Sequence, residues 1–500
     1  MKKNLIRSTL CVLLSLVLAL SVGLTAFADE SENGFTYIAD AGKKTAQITG
    51  YTGKSISITI PETIGGCSVT TIKGEAFKGK NTLISVTIPK TVTAIGNEAF
   101  SGCTLLNALK LGSGVSSIGS KAFENCKALS SVSIPAATIS IGEKAFAGCT
   151  GLSKIEVDAL NPSYKSENGV LLNRLGTTLI LYPARRSGKS YDVPGVKTIE
   201  SYAFQGATNL TSVKVSDSTT TIGKGAFSDC ASLEKAILPN KLTKVEDEMF
   251  MGCKKLKELN FPTSAKTIGE NAFNGCTAIP MLIIPDSVTT VGKGAFAGCT
   301  GIGQVTIGKG LTAISGAAFS GCSGIKGFTV PNNSAFSADK GVLFDKDGKI
   351  LIAYPAGSAA TEYTVGDKVT TLGENAFDSC KNLKKLNIPA TVKNLNDPVV
   401  KNCGSMEIHV EDKSKAQDYF TAHTSGFGSL KVGADKPGDV NADGAVDNAD
   451  VILLRRYVAK WKNITIQKDA ADVNRDSEID NADVILIRRY VAGWKNVTLK

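Results

Sequence analysis

The sequence predicts a repeat solenoid of β-rich 23-residue units, broken by two β-hairpin insertions and followed by a small all-α module. Three observations carry that prediction. A phenylalanine returns every 23 residues along most of the chain. Two 58-residue gaps interrupt that step, and they hold matching segments. Residues 439–500 contain one acidic segment written twice, 33 residues apart. At 500 residues the chain is too long for one ordinary core, but a stacked array has no such limit. With 42% hydrophobic residues it is too apolar to be disordered.

The N-terminus begins with Lys2, Lys3 and Arg7, continues with an apolar run from Leu10 to Leu24, and ends in Ala26-Phe27-Ala28. A basic start, a short apolar stretch and a small-x-small site predict a secretory signal peptide over residues 1–28. The run is short for a membrane span, and no later stretch is apolar enough for one. Losing those three cations lowers the formal charge of +10 by three, to +7. Export and a mild charge argue against nucleic acid as a partner. Histidine occurs only at 409 and 423, so the first 408 residues hold no imidazole base, no histidine triad and no histidine-ligated zinc.

Phe77, Phe100, Phe123 and Phe146 open the repeat, and Phe204, Phe227, Phe250, Phe273, Phe296 and Phe319 continue it. Phe377 follows, and Val400 fills the next slot. One unit runs from Leu83 to Cys103. Its Leu-x-x-Val-x-Ile part alternates like a strand with one buried face. Pro89 then ends the ladder, because it has no N–H to donate. The Ile-Gly-x-x-Ala-Phe part turns the chain and drives Phe100 inward. A single unit cannot bury its own apolar face, whereas stacked units can. The repeated Ile-Gly…Ala-Phe…Gly-Cys signature, over roughly residues 35–430, resembles the BspA-type leucine-rich repeat of bacterial surface and secreted proteins. That resemblance implies an elongated, curved solenoid with a strand ladder on one face. Lys73, Glu200, Glu246 and Ser315 replace the glycine after Ile, which argues against a strict positive-φ requirement at that slot.

Nine cysteines stand three residues after a repeat Phe, at 103, 126, 149, 230, 253, 276, 299, 322 and 380, with Cys403 in the same phase after Val400. Export makes disulfides conceivable. The runs hold three, five and two members, however, and pairing would strand thiols, so a ladder of buried, unbonded thiols is expected. In the gaps, Gly169 to Pro183 aligns with Gly341 to Pro355, each reading as two short strands around a turn. Residues from about 405 lose the phenylalanine step and read as a terminal cap, with both histidines as surface groups. The row of outward strand positions is small, mixed and nearly neutral, with no acid pair at catalytic spacing. It reads as a spacer or adhesive surface, or as a protein-binding face anchored by Met281, Ile283 and Ile237.

Asp435-Lys436-Pro437-Gly438 marks a linker, taken as residues 433–438 after a solenoid over 29–432. In each acidic segment, oxygen-bearing side chains fall at loop positions 1, 3, 5, 9 and 12. A hard cation such as Ca²⁺ takes six to eight oxygens at such steps, with a backbone carbonyl at position 7. The first set is Asp439, Asn441, Asp443, Asp447 and Asp450 with the carbonyl of Ala445; the second is Asp472, Asn474, Asp476, Asp480 and Asp483 with the carbonyl of Glu478. Two Ca²⁺ ions are expected, and the clustered carboxylates couple their binding to folding. Ser477 stands where Gly444 gives the sharp turn, so the second loop is the more strained.

A loop followed by one helix, duplicated, resembles the type I dockerin over residues 437–500. That resemblance implies docking onto a cohesin module of a scaffoldin in a polysaccharide-degrading, cellulosome-like complex. Carried over from the family, the contact positions are Asn448, Ala449, Arg455 and Arg456, repeated as Asn481, Ala482, Arg488 and Arg489. The near-identity of the two halves predicts two binding orientations. The arginine pairs also read as solvated helix residues. The expected protein is extracellular, non-catalytic and held at a cell surface through the scaffoldin, with an unknown protein or surface ligand for the repeats. Rival classes are a dockerin-bearing glycoside hydrolase or peptidase, and a free adhesin.

Overall fold

A computed structural model describes residues 30–433, 436–441, 445–495 and 497–499. The signal-peptide reading therefore lies outside the described residues, as does Asp443. The chain is a β-solenoid of 23-residue coils with little helix; among the described residues three α-helices lie in the C-terminal module and one, Lys415–Ala422, ends the repeat array. It divides into two compact units, one up to residue 176 with 181–186, the other 177–180 with 187 onward. Among the described residues no helix is long and apolar enough to cross a membrane.

The first unit starts with an antiparallel meander, Glu30–Glu32, Phe35–Asp40 and Thr45–Tyr51. Parallel coils then stack on it through short strands such as Ala94–Ile95, Ser117–Ile118 and Ser140–Ile141. A second ladder runs through Ser57–Thr59, Ser85–Thr87 and Ala108–Lys110. The alternation seen in the sequence is the cause: Val86 and Ile88 are buried while Ser85 and Thr87 lie outward. In the second unit the equivalent ladder joins Ser190–Asp192, Ser212–Lys214, Lys235–Ile237 and Glu258–Asn260.

The repeat phenylalanines form the spine of each unit. Phe77, Phe100, Phe123 and Phe146 stack with centroids 4.7, 5.2 and 5.3 Å apart and rings within 6° of parallel. Phe227 to Phe319 continue the pattern at 5.4, 5.5, 5.3 and 5.8 Å. Beside them the cysteines are free and buried, as expected. Apart from Cys67 and Cys380, each thiol donates to the carbonyl of a repeat Phe 26 residues earlier, for example Cys126 to Phe100 O at 3.2 Å and Cys276 to Phe250 O at 3.1 Å. Burial pushes the Cys103 thiol up to about 11 and the Cys149 and Cys276 thiols up to about 12.

The backbone explains the glycine slot. These glycines do not take positive φ. A Cβ on Gly142 would sit 2.4 Å from the backbone nitrogen of Ser120, so glycine lets successive coils approach. The left-handed residue is instead two before the phenylalanine, where Glu98, Lys121, Lys144 and Glu248 have φ of 57 to 59°. Where that slot holds Ala317, the segment Gly316–Phe319 forms a 3₁₀-helix.

The insertions are larger than the two-strand reading. The second contains Phe336–Asp339, Val342–Asp345 and Ile350–Ala353 as an antiparallel meander, so a strand precedes the expected hairpin. In the first, Tyr164–Glu167 pairs antiparallel with Val170–Asn173. A buried asparagine anchors each. Asn161 Nδ2 donates to Pro135 O (2.7 Å) and Thr138 O (2.9 Å), and its Oδ1 accepts from the Ser163 and Tyr164 N–H groups. Asn333 makes the same four bonds to Gly308, Leu311, Ala335 and Phe336.

After residue 405 the array ends with Glu407–Val410, the helix Lys415–Ala422 and Ser429–Val432. One expectation is corrected here. His409 is buried, not a surface group, because it lies on a strand paired on both sides, with Nε2 3.3 Å from Glu407 Oε2. His423 is exposed, as expected.

Candidate metal centre and docking face

The two acidic segments fold alike because their capping residues are alike. Asp447 caps the helix Asn448–Val458 and Asp480 caps Asn481–Val491, each in a reciprocal capping box with the third helical residue. That third residue is Asp450 or Asp483, and both are wholly buried. Asp450 Oδ1 accepts from Asn441 N–H (3.1 Å) and Oδ2 from Asp447 N–H (2.9 Å). Asp483 does the same with Val473 N–H (2.9 Å) and Asp480 N–H (3.0 Å). The last acid of each loop thus holds the start and the middle of the loop together.

The second loop is described throughout. Asp472 accepts from the Asp476 and Ser477 N–H groups at 3.2 and 3.0 Å. Asn474 Oδ1 accepts from Asp476 N–H, and Asp476 Oδ1 from Glu478 N–H, both at 2.9 Å. Asn474 Nδ2 also donates to Asp476 Oδ2 at 2.7 Å. These bonds curl the loop backbone around its own side chains. Arg475 and Ser477 have φ of 60° and 72°, so the expected strain of a serine at the turn is present. Among the described residues no three His, Cys, Asp or Glu side chains converge as a ready-made cluster. The loop's own N–H groups occupy several of their oxygens.

The donor chemistry fits a hard cation. All assigned side-chain donors are oxygen. Asp450 and Asp483 have no salt-bridge partner among the described residues, although buried carboxylates normally have one. Burial, followed by the charge of Asp472, pushes the Asp483 carboxyl above its ordinary value.

The two helices pack through Val451, Leu454, Val484 and Ile487 around Val440, Ala471 and Val473. Equivalent residues of the two halves fill this small core. The eight family-derived contact positions, Asn448, Ala449, Arg455 and Arg456 with Asn481, Ala482, Arg488 and Arg489, are all exposed. The Arg456 guanidinium lies 5.5 Å from the Trp461 ring centre, and that of Arg489 lies 5.2 Å from Trp494. The sequence reading missed exposed apolar neighbours. Ile452 and Ile485 are 50% and 48% exposed, and Trp461 and Trp494 are 61% and 60% exposed. Their 33-residue spacing was the available signal.

On the solenoid, Met281 and Ile283 are exposed, while Ile237 is half-buried and contributes less surface. An array of phenylalanine-stacked coils followed by a paired loop-and-helix module defines a repeat protein with an appended docking-type domain. The chain belongs to the BspA type leucine rich repeat family, whose model matches residues 68–167, 188–279, 220–340 and 356–423. Residues 437–492 match the dockerin type I domain. Among solved structures, the chain is similar to a leucine rich cell surface protein from Faecalibacterium prausnitzii, at 26% identity over 61% of this chain and 96% of that one, with a TM-score of 0.39. It is also similar to a leucine-rich repeat protein from Bacteroides ovatus, at 24% identity over 81% of this chain and 100% of that one, with a TM-score of 0.44. No curated protein matches it. The families found are repeat and docking families rather than enzyme families.

Proposed function

We propose that this is a secreted, non-catalytic binding and assembly protein that docks onto a scaffoldin cohesin through a Ca²⁺-dependent dockerin. Residues 1–28 are its signal peptide, 29–432 the solenoid with its cap, 433–438 the linker and 439–500 the dockerin. The observation that carries the reading is the duplicated oxygen-donor loop, each copy closed by a buried aspartate at its twelfth position. Asp439, Asn441, Asp443, Asp447 and Asp450 with the Ala445 carbonyl hold one Ca²⁺. Asp472, Asn474, Asp476, Asp480 and Asp483 with the Glu478 carbonyl hold the second. When bound, the ion neutralises the acids and fixes the helix starts, which presents the flanking contact residues in one geometry. The repeats then carry a protein or cell-surface ligand into the complex, which acts on polysaccharide.

Titration calorimetry on the chelator-stripped chain tests this. Two ions per chain are expected, falling to one in Asp450→Ala and one in Asp483→Ala, and an immobilised cohesin should retain the chain only when Ca²⁺ is present. Calcium titration without heat, or equal retention in chelator, contradicts the reading.

A further inference from the structure

The run of two cysteines at the end of the array differs from the other runs. Pairing neighbours strands a thiol in the runs of three and five, but not in Cys380 with Cys403. The ladder thiols donate to the carbonyl of the residue 26 places earlier, and Cys403 does so to Phe377 O at 2.9 Å. Cys380 does not. The residue 26 places before it is Tyr354, in the second insertion, and the carbonyl it reaches is that of its neighbour Asp378, 3.7 Å away. The Cys380 side chain instead hydrogen-bonds that of Cys403. Cys253 also meets Cys230, but those two thiols donate to Phe227 O and Phe204 O, both at 3.1 Å.

The backbone around this pair is clamped in register. Phe377–Asp378 pairs parallel with Val400–Lys401, and among the described residues this is the one place where a repeat phenylalanine lies in a strand. Ser379 N–H donates to Lys401 O at 2.8 Å, and Asn402 Nδ2 donates to Asp378 Oδ1 at 3.1 Å. Asp378 Oδ1 also accepts from Ser379 Oγ at 2.9 Å. The residues directly ahead of both cysteines are thus tied to one another. Parallel neighbours in register lie roughly 4.8 Å apart, within the Cα separation of about 4.4–6.8 Å that a disulfide spans. Both cysteines are free and buried here, and Cys403 N–H donates onward to Gly426 O at 3.0 Å, in the cap. The hydrogen bond from Cys380 holds the Cys403 thiol below its ordinary value, whereas burial pushes the Cys149 and Cys276 thiols up.

We propose that Cys380 and Cys403 form a disulfide when the chain folds in the presence of a low-molecular-weight disulfide, closing the last repeat coil onto the one before it. The Cys403 thiolate attacks one sulfur of that oxidant and displaces its other half as a thiolate. Cys380 then loses its proton and attacks the Cys403 sulfur of the mixed disulfide, displacing the second half. Two protein thiols are oxidised, one external disulfide is reduced to two thiols, and the two protons end on those thiols. Burial shields both sulfurs in the finished fold, so the exchange precedes closure of the last coil. The end coils of a solenoid have a repeat neighbour on one side only, so a covalent link there restrains the part that opens most easily. Meeting such an oxidant in nature rests on the export reading; the capacity to form the bond does not.

For the test, the full chain is reduced and unfolded, refolded with oxidised and reduced glutathione, alkylated in denaturant and cut with trypsin. Mass spectrometry should find residues 369–381 linked to residues 402–413, each piece holding one cysteine, with the remaining cysteines alkylated. Amide exchange at Met406 and Ile408 should be roughly tenfold slower in the oxidised chain than after dithiothreitol. Cys253→Ser should leave the link in place, and Cys380→Ser should abolish it without drawing other cysteines into bonds. Should Cys380→Ser fail to fold, the peptide map and the exchange comparison on the unaltered chain decide alone. The inference is overturned if the two peptides stay unlinked, if Cys380 bonds Cys322 or another cysteine as often as Cys403, or if exchange is equal in both redox states. Because glutathione supplies the oxidant, a missing link here leaves the export reading untouched, and a chain that is not exported would still form the link in this experiment.

Discussion

Lys121 shows how a repeat tolerates local strain. Its backbone sits at φ 57°, a region that costs a non-glycine residue roughly 1 kcal/mol. Asn271 and Asn375 occupy the same slot in other coils, and asparagine tolerates this conformation. Lys121→Asn should therefore stabilise the chain by about 0.5–1 kcal/mol, read from urea denaturation. Asn161 is the opposite case. Its amide satisfies four backbone groups, so Asn161→Ala leaves buried donors and acceptors unmatched. A loss of about 3 kcal/mol in the same measurement is expected, and a loss below about 1 kcal/mol would falsify the anchoring role. Neither residue announced itself in the sequence. Both roles involve backbone carbonyls of an adjacent coil, Glu143 in the following coil for Lys121 and Pro135 and Thr138 in the preceding one for Asn161, which a linear pattern does not display.

At the scale of the coil, the thiol ladder makes stability depend on alkali. Cys103, Cys149 and Cys276 have folded values of about 11 to 12 against an ordinary 9.0. The folded state therefore holds its protons longer than the unfolded state. Its contribution is full below pH 9 and declines as pH rises from 9 towards 12. Each such thiol should cost about 1.4 kcal/mol by pH 10, seen as a falling melting temperature between pH 9 and 10. The same buried thiols should resist iodoacetamide at pH 8 until the chain unfolds. Coil length, strand alternation, the unbonded cysteines and the insertions were legible in the sequence, because each is a period or a break in a period. The extra strand Phe336–Asp339 was not, since it lies ahead of the aligned segment. His409 was misread because pairing on both sides, a tertiary fact, buries it.

For the molecule as a whole, the two halves of the C-terminal module were the most legible feature, since duplication in register is hard to reach by chance. Their matched exposures, 50% and 48% at Ile452 and Ile485, give two similar faces. If either face engages a cohesin, Arg455→Glu with Arg456→Glu should change affinity less than about threefold by calorimetry, whereas reversing Arg488 and Arg489 as well should abolish binding. Full loss from the first pair alone would show a single orientation.

The thiol-to-carbonyl bond carries one more consequence. Cys276 reaches back only 26 residues, to the coil immediately before it. Contacts of this kind tie each layer to its predecessor and leave distant layers unacquainted. Copying or excising one whole layer would rejoin surfaces that already match, so such an array can lengthen or shorten over generations while its interior stays as it was.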